Sequence, residues 1–250
     1  MAARVVLITG ATSGIGEASA RVLAKNHHLI LCGRRKDRLK ALQAELGTST
    51  HILSFDVQDK SAVSKAINSL PSDWNKIDVL INNAGNAHGL DYIQDGSLDD
   101  WDAMMDINVK GLLYVTKAIL PQMIEQKSGH IINIGSTAGR EVYPKGNVYC
   151  ASKSAVDALT KGMRMDLNQH SIRVSSIDPG LVETEFSRVR FKGDEKKAEA
   201  VYHGFMPLKA EDIAETIEFV ISRPPHVTIG DLLILPTAQA SATLINKKAQ

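Results

Sequence analysis

The sequence has only two cysteines in 250 residues, Cys32 and Cys150. No disulfide framework follows, which fits a reducing compartment, and no spacing around either sulfur supports a metal or redox pair. Both read as small, mostly apolar side chains, even though Cys150 adjoins Tyr149. Long apolar runs are also missing. No stretch approaches the roughly 20 residues that span a bilayer. "ARVVLITG", after Met1, is too short for a signal-peptide core and lacks a cleavage site. Neither sign of charge dominates: 29 Lys and Arg against 28 Asp and Glu leave a net +1, so no global field draws the chain to nucleic acid or to an anionic membrane. There is no internal repeat, no low-complexity tract and no linker rich in Pro, Gly or Ser. These absences lead to the expectation of a soluble, cytoplasmic, single-domain protein (1–250) that binds no metal, nucleic acid or membrane.

What is present is alternation. "RVVLIT" (4–9), "HLILC" (28–32), "HILSF" (51–55), "DVLIN" (78–82), "HIINI" (130–134), "IRVSSI" (172–177) and "DLLIL" (231–235) are short and almost continuously apolar, as strands buried on both faces are. Helical patterns separate them at about 14–26, 35–46, 59–70, 98–126, 147–169 and 210–222, the last stopping before "RPP". Strict β/α alternation predicts an α/β, Rossmann-type doubly wound fold: a central seven-stranded parallel sheet with helices on both faces. The stretch 181–206 breaks the rhythm. It is charged and irregular and predicts a lid or substrate-binding segment. The residues after Pro236 are small and polar and predict an extended or frayed tail.

The first strand runs into "TGATSGIGEA". Gly10, Gly14 and Gly16 bracket a strand-to-helix turn where backbone N–H groups and the helix N-terminus can receive a pyrophosphate. A lone glycine motif is weak, but here it has the first-strand and helix context that it needs. Thr12, Ser13 and Ile15 lie in the same turn. After the second strand an NAD site normally carries an acid. Here "CGRRKDRL" puts Arg34 and Arg35, whose guanidiniums suit a 2′-phosphate and predict NADP. The alternative is a solvated basic start to the next helix, a poor place for cations in the helix dipole. Asp37 falls on that helix. Asp56 and Val57 end the third strand, where the carboxylate could take the adenine amino group. Asn83, Ala84 and Gly85 end the fourth. All lie at strand C-terminal ends, where open α/β sheets bind ligands.

Beyond the fifth strand comes Ser136, then Tyr149, with Lys153 one helical turn later. Reducing a carbonyl requires a proton at oxygen. A tyrosine can supply it if a nearby ammonium stabilises its phenolate, and a serine hydroxyl can steady the developing charge. A Tyr–Lys pair at this spacing also recurs by chance on surface helices. Taken together, "TGATSGIG", "NNAG", Asn108 in "NVKG", Ser136, "YCASK", and Pro179–Gly180 followed by Thr184 resemble the short-chain dehydrogenase/reductases, in family order over about residues 5–185. The resemblance implies that Tyr149 is the acid/base, that Lys153 lowers its pKa and binds the nicotinamide ribose, that Ser136 orients substrate and that Asn108 holds a relay water. It also implies that the turn 179–184, with Val182, binds the carboxamide, and that the protein is a homotetramer, with a homodimer as the alternative. "HIINIGSTAGR", "GNVYCASKSAV", "CGRRKDRL" and "DPGLVETEFSRVRFKGDEKKAEAVY" are similar, more narrowly, to NADP-dependent 3-hydroxy acid dehydrogenases, which act on serine, allo-threonine or 3-hydroxypropionate-type acids. Glu183 alone replaces the glycine stretch of some members. A carboxylate substrate needs a cation. Arg188, Arg190 and Lys192 in the lid segment are candidates, balanced by Asp194 and Glu195, and Arg140 is another. His88 reads as a loop histidine that could reach the pocket. The alternatives are a broader carbonyl, sugar- or steroid-type reductase of the same family, and a dinucleotide-sensing protein without chemistry. The presence of Ser136, Tyr149, Lys153 and Asn108 speaks against the latter.

Overall fold

Each apolar run pairs with its neighbours as a strand, and each amphipathic stretch between them packs as a helix. In chain order the elements of this computed structural model are β1 (Val5–Thr9), α1 (Gly14–Leu23), β2 (His28–Gly33), α2 (Lys36–Leu46), β3 (Thr50–Ser54), α3 (Lys60–Asn68), β4 (Val79–Asn82), α4 (Leu98–Met105), α5 (Leu112–Gln126), β5 (Gly129–Ile134), α6 (Asn147–Asp166), β6 (Ile172–Pro179), β7 (Val182–Glu183), α7 (Phe186–Arg190), α8 (Glu195–Ala200), β8 (Leu208–Lys209), α9 (Ala210–Ile221) and β9 (Asp231–Ile234). The structure describes residues 3–47 and 49–247; Met1 and the last three residues of the tail lie outside them.

The large sheet has the order β3-β2-β1-β4-β5-β6-β9, and every pairing in it is parallel. The order reverses between β1 and β4, the switch point where a crevice opens at the strand ends. The strands are apolar on both sides because both sides are covered. In β1, Val6 and Ile8 pack with Leu23 of α1, Leu39 of α2 and Ile217 of α9. Leu7 points the other way, toward Val63 of α3 and Val115 and Ile119 of α5. Each such buried side chain contributes roughly 1.5–3 kcal/mol. Cys32 belongs to the second of these cores. Its thiol is buried and pushed far up by that burial, so it is packing and not chemistry.

Three local expectations need correction. The helix expected over 98–126 is interrupted by a π-helical turn, Asp106–Gly111, between α4 and α5. Such turns cluster at functional sites, and this one carries Asn108. The segment 181–206 is not irregular: it holds β7, α7 and α8, and β7 pairs with β8 beyond it. The tail folds back instead of fraying. Gln239 is 4% exposed, accepts from the Leu181 N–H at 2.8 Å, and bridges to Ile245 in an antiparallel contact.

Candidate active site

At the end of β1 the chain turns sharply. Gly10 and Gly14 take positive φ, +66° and +53°, conformations that other residues adopt at a cost. Gly16 answers a different constraint. A Cβ there would run into the Gly10 carbonyl oxygen and the Asn83 amide. Asn83 staples the ends of β1 and β4: its side-chain amide donates to the carbonyls of Thr9 (2.9 Å) and Gly10 (3.2 Å), and its N–H donates to Thr9 Oγ1 at 3.0 Å. Asn83 thus shapes the crevice with its side chain. This turn opens into a cavity of about 720 Å³, ample for a dinucleotide and a small substrate. Of the residues that the sequence nominated for a cofactor, all but Gly16 line it.

The basic end is more crowded than expected. Arg34 faces Asp56 at 3.5 Å. Arg35 donates to the hydroxyl and carbonyl oxygens of Thr12 at 3.0 and 3.1 Å and pairs with Glu185 at 3.1 Å. Arg38, one turn along α2, pairs with the same carboxylate at 2.8 Å, and the two guanidiniums hold the Glu185 carboxyl below its ordinary range against the opposing effect of burial. Arg38 was not nominated, although "RRKDRL" places it at i+3 from Arg35. Asp56 also accepts from the Gln58 N–H at 3.0 Å. Thr184 packs against the same turn, its side chain 3.2 Å from where a Cβ on Gly14 would be.

At the other end Ser136, Tyr149 and Lys153 line the same cavity. Tyr149 is 8% exposed, and its ring lies 5.7 Å from that of Phe186 in α7. Burial pushes its phenol well above the ordinary value. The groups that pull it back are the Ser136 hydroxyl and the Arg190 guanidinium. Lys153 is not among them in this structure. Its Nζ donates to the Ile134 carbonyl at 2.9 Å, and burial brings it down to about 8, opposed by the charge of Asp178. Ser136 Oγ accepts from the Ala138 N–H at 3.1 Å. Asn108 is 2% exposed. It accepts from the Asn86 N–H, donates to the Asn86 carbonyl and donates to Ser152 Oγ, at 2.8, 2.9 and 3.0 Å. Cys150 is buried beside Tyr149 in a small apolar cluster, its thiol raised by burial.

The candidate carboxylate partners separate cleanly. Arg190 lines the cavity, with its guanidinium carbon 5.5 Å from the Tyr149 ring centre and 5.6 Å from that of Tyr143. Arg188 does not line it: it pairs with Glu195 at 2.8 Å, 61% exposed. Lys192 pairs with Asp100 at 2.9 Å. Arg140 is spent on the buried Asp178 carboxylate, which it reaches through both Nε and Nη2. On helix α7, Arg188 and Arg190 are two positions apart and therefore on different faces. Only one can look inward. His88 lines the cavity, contrary to the plain-loop reading. So do Ala242 and Ile245 of the tail, for which the sequence offered no signal.

Residues 4–195 match the family model described as short chain dehydrogenase. The chain is 46% identical over 242 residues to NADP-dependent 3-hydroxy acid dehydrogenase YdfG of Escherichia coli (strain K12), covering 96% of this chain and 98% of that protein. It is 43% identical over 238 residues to serine 3-dehydrogenase of Agrobacterium fabrum, covering 95% of each. A solved structure described as the closed form of serine dehydrogenase complexed with NADP+ superposes with a TM-score of 0.94 at 45% identity, over 98% of this chain and 100% of that one.

Proposed function

The chain belongs to the short-chain dehydrogenase family, and from that premise we propose that it is an NADP-dependent oxidoreductase acting on the hydroxyl carbon of a small 3-hydroxy acid, with the reverse reaction reducing a semialdehyde. The observation that carries this reading is one cavity with a basic rim at one end and Tyr149 beside Arg190 at the other. The names of the relatives, which specify NADP, 3-hydroxy acids and serine, point the same way.

The cradle fits the cofactor on its own terms. Two positive-φ glycines bring backbone N–H groups to the mouth of α1, where a pyrophosphate is favoured. Arg34 and Arg35 line the cavity where a 2′-phosphate would sit, and Arg38, next along α2, is paired with Glu185. NADP, when bound, supplies the hydride acceptor. Tyr149 then takes the hydroxyl proton as the alcohol is oxidised and returns it on reduction. Ser136 would hold the substrate oxygen, and Lys153, still largely protonated at neutral pH and bonded to the Ile134 carbonyl in the ligand-free protein, would favour the phenolate only once turned toward the nicotinamide ribose that it would hold. Arg190 takes the substrate carboxylate by charge-assisted hydrogen bonds. Asn108 fixes the backbone at Asn86 and the relay side of the site. Residues 181–206 serve as the lid of a single domain. Leu113 of α5 and Met165 of α6 are exposed apolar side chains on the helices expected to mediate a homotetramer in the cytoplasm, an assembly that sedimentation velocity tests.

The test is absorbance of the reduced nicotinamide with a panel of 3-hydroxy acids and either cofactor. Turnover of none of them removes the substrate half, and a preference for NAD removes the cofactor half. Arg35→Ala is expected to raise KM for NADP by about tenfold or more, the scale of a lost charge-assisted contact, while changing KM for NAD far less. Equal effects on both cofactors would place the arginine's role in the turn, through Thr12, and not in phosphate recognition.

A further inference from the structure

Glu185 stands on the basic rim of the cavity and at the N-cap of α7, yet its side chain makes no capping bond. The Phe186 N–H goes to Thr184 Oγ1 instead, at 3.2 Å. What the Glu185 carboxylate holds is a pair of cations. It accepts from Arg38 Nη1 through both oxygens, at 2.8 and 3.1 Å, and from Arg35 Nη1 at 3.1 Å. The rim that suits a phosphate thus already carries an anion of the protein's own.

Arg35 is fixed on its other side. Its Nε donates to Thr12 Oγ1 at 3.1 Å, and its Nη2 donates to the Thr12 carbonyl and hydroxyl oxygens at 3.1 and 3.0 Å. Those bonds belong to the turn after β1 and keep the guanidinium in place. The Nη1 edge is the part that can change partner, and Glu185 occupies it. Arg35 and Glu185 both line the cavity. The side chains of Arg35, Arg38 and Glu185 keep 42%, 50% and 40% of their surface exposed, so a dissolved ligand can reach the contact. Ion pairs this exposed are weak. A phosphate ester carries nearly twice the charge of a carboxylate and three acceptor oxygens, which makes it the stronger partner for a guanidinium fork.

We propose that Glu185 occupies the 2′-phosphate site of the cofactor-free protein and gives up Arg35 to that phosphate, so that this carboxylate sets how tightly a 2′-phosphorylated adenosine binds relative to a plain one. The inference rests on the NADP reading above and goes beyond it, because it gives a lid residue the task of weakening the preferred cofactor. Exchange of one anion for another keeps the guanidiniums paired whether the site is empty or full. The cost of displacing Glu185 falls only on ligands that carry the 2′-phosphate.

The experiment measures, by calorimetry on the cofactor-free protein, the binding of adenosine 2′,5′-bisphosphate and of adenosine 5′-monophosphate, which differ only in the 2′-phosphate. Glu185→Gln keeps the shape of the side chain and removes its charge. The bisphosphate should bind this variant about threefold or more tighter than it binds the wild type, the upper range of an exposed ion pair. The monophosphate should change far less. Glu195→Gln removes a negative charge from the same segment, where Glu195 pairs with Arg188 away from the cavity, and should leave both ligands unchanged. A Glu185→Gln protein that binds the bisphosphate no tighter, or more weakly, overturns the assignment: the carboxylate then positions the arginines for phosphate and does not compete with it. Equal tightening of both ligands also overturns it, since the lost charge then acts on the cavity as a whole. The NADP reading fails separately. A wild type that binds the two ligands equally loses that reading, and a preference for the bisphosphate that emerges only in Glu185→Gln keeps the assignment. If neither protein distinguishes them, both are lost.

Discussion

Phenylalanine at position 149 is expected to lower kcat by about a hundred- to ten-thousandfold, the span of a lost general acid/base, while largely sparing NADPH affinity. The substitution removes one oxygen and keeps the ring that packs on Phe186, so packing changes little and the loss falls on proton transfer. The pH dependence follows from the same burial. The phenol is held above its ordinary value in the ligand-free protein, so the proton-accepting form needed for alcohol oxidation becomes more abundant as pH rises. Oxidation should speed up toward alkaline pH and reduction should slow. Initial rates in both directions across pH, with NADPH titrations alongside, check this. A Tyr149→Phe protein with near-normal kcat would remove Tyr149 from the chemistry.

Why Tyr149 could be nominated from sequence, and the choice of Arg190 among its basic neighbours could not, is a matter of which forces write locally. Strands buried on both faces must be apolar throughout, so β1, β4 and β5 are visible as runs. A sharp turn at a strand end needs glycine, so Gly10 and Gly14 are visible as well. Partner choice among charged side chains is a tertiary matter. Arg140, Arg188, Arg190 and Lys192 look alike in a line of letters. They separate only when α7 turns Arg190 inward and when Asp178, Glu195 and Asp100 capture the other three. The π-helical turn around Asn108 was likewise hidden, because its residues have the same apolar spacing as the α-helices on either side. Gly111 marks it only in hindsight: a Cβ there would meet Val57. The tail carried no periodicity, because what orders it is a set of single polar contacts: Gln239 accepts from the Leu181 N–H, the Ala242 N–H donates to Glu141, and Gln239 bridges to Ile245.

Lys153→Met should abolish most turnover and make the protein more stable. Lys153 is 8% exposed, and burial brings its ammonium from 10.5 to about 8. A cation whose pKa is lowered on folding opposes folding. The unfolded chain binds the proton more tightly, so the cost is complete below about pH 8, shrinks as pH rises toward 10.5, and is gone above it. At neutral pH a displacement of this size corresponds to about 3 kcal/mol. The Ile134 carbonyl, which Lys153 now satisfies, loses its donor in the variant at a cost of about 1 kcal/mol. Methionine keeps the volume of the aliphatic stem. A net gain of about 2 kcal/mol is therefore expected at pH 7, measured as a higher urea midpoint with an unchanged slope, and the gain should fade when the same titration is run near pH 10. A variant less stable than wild type at pH 7, or one whose gain is independent of pH, would mean that the lysine is accommodated without strain. The expected pattern would instead show that the site holds a buried cation against the preference of the fold, as active sites that trade stability for chemistry do.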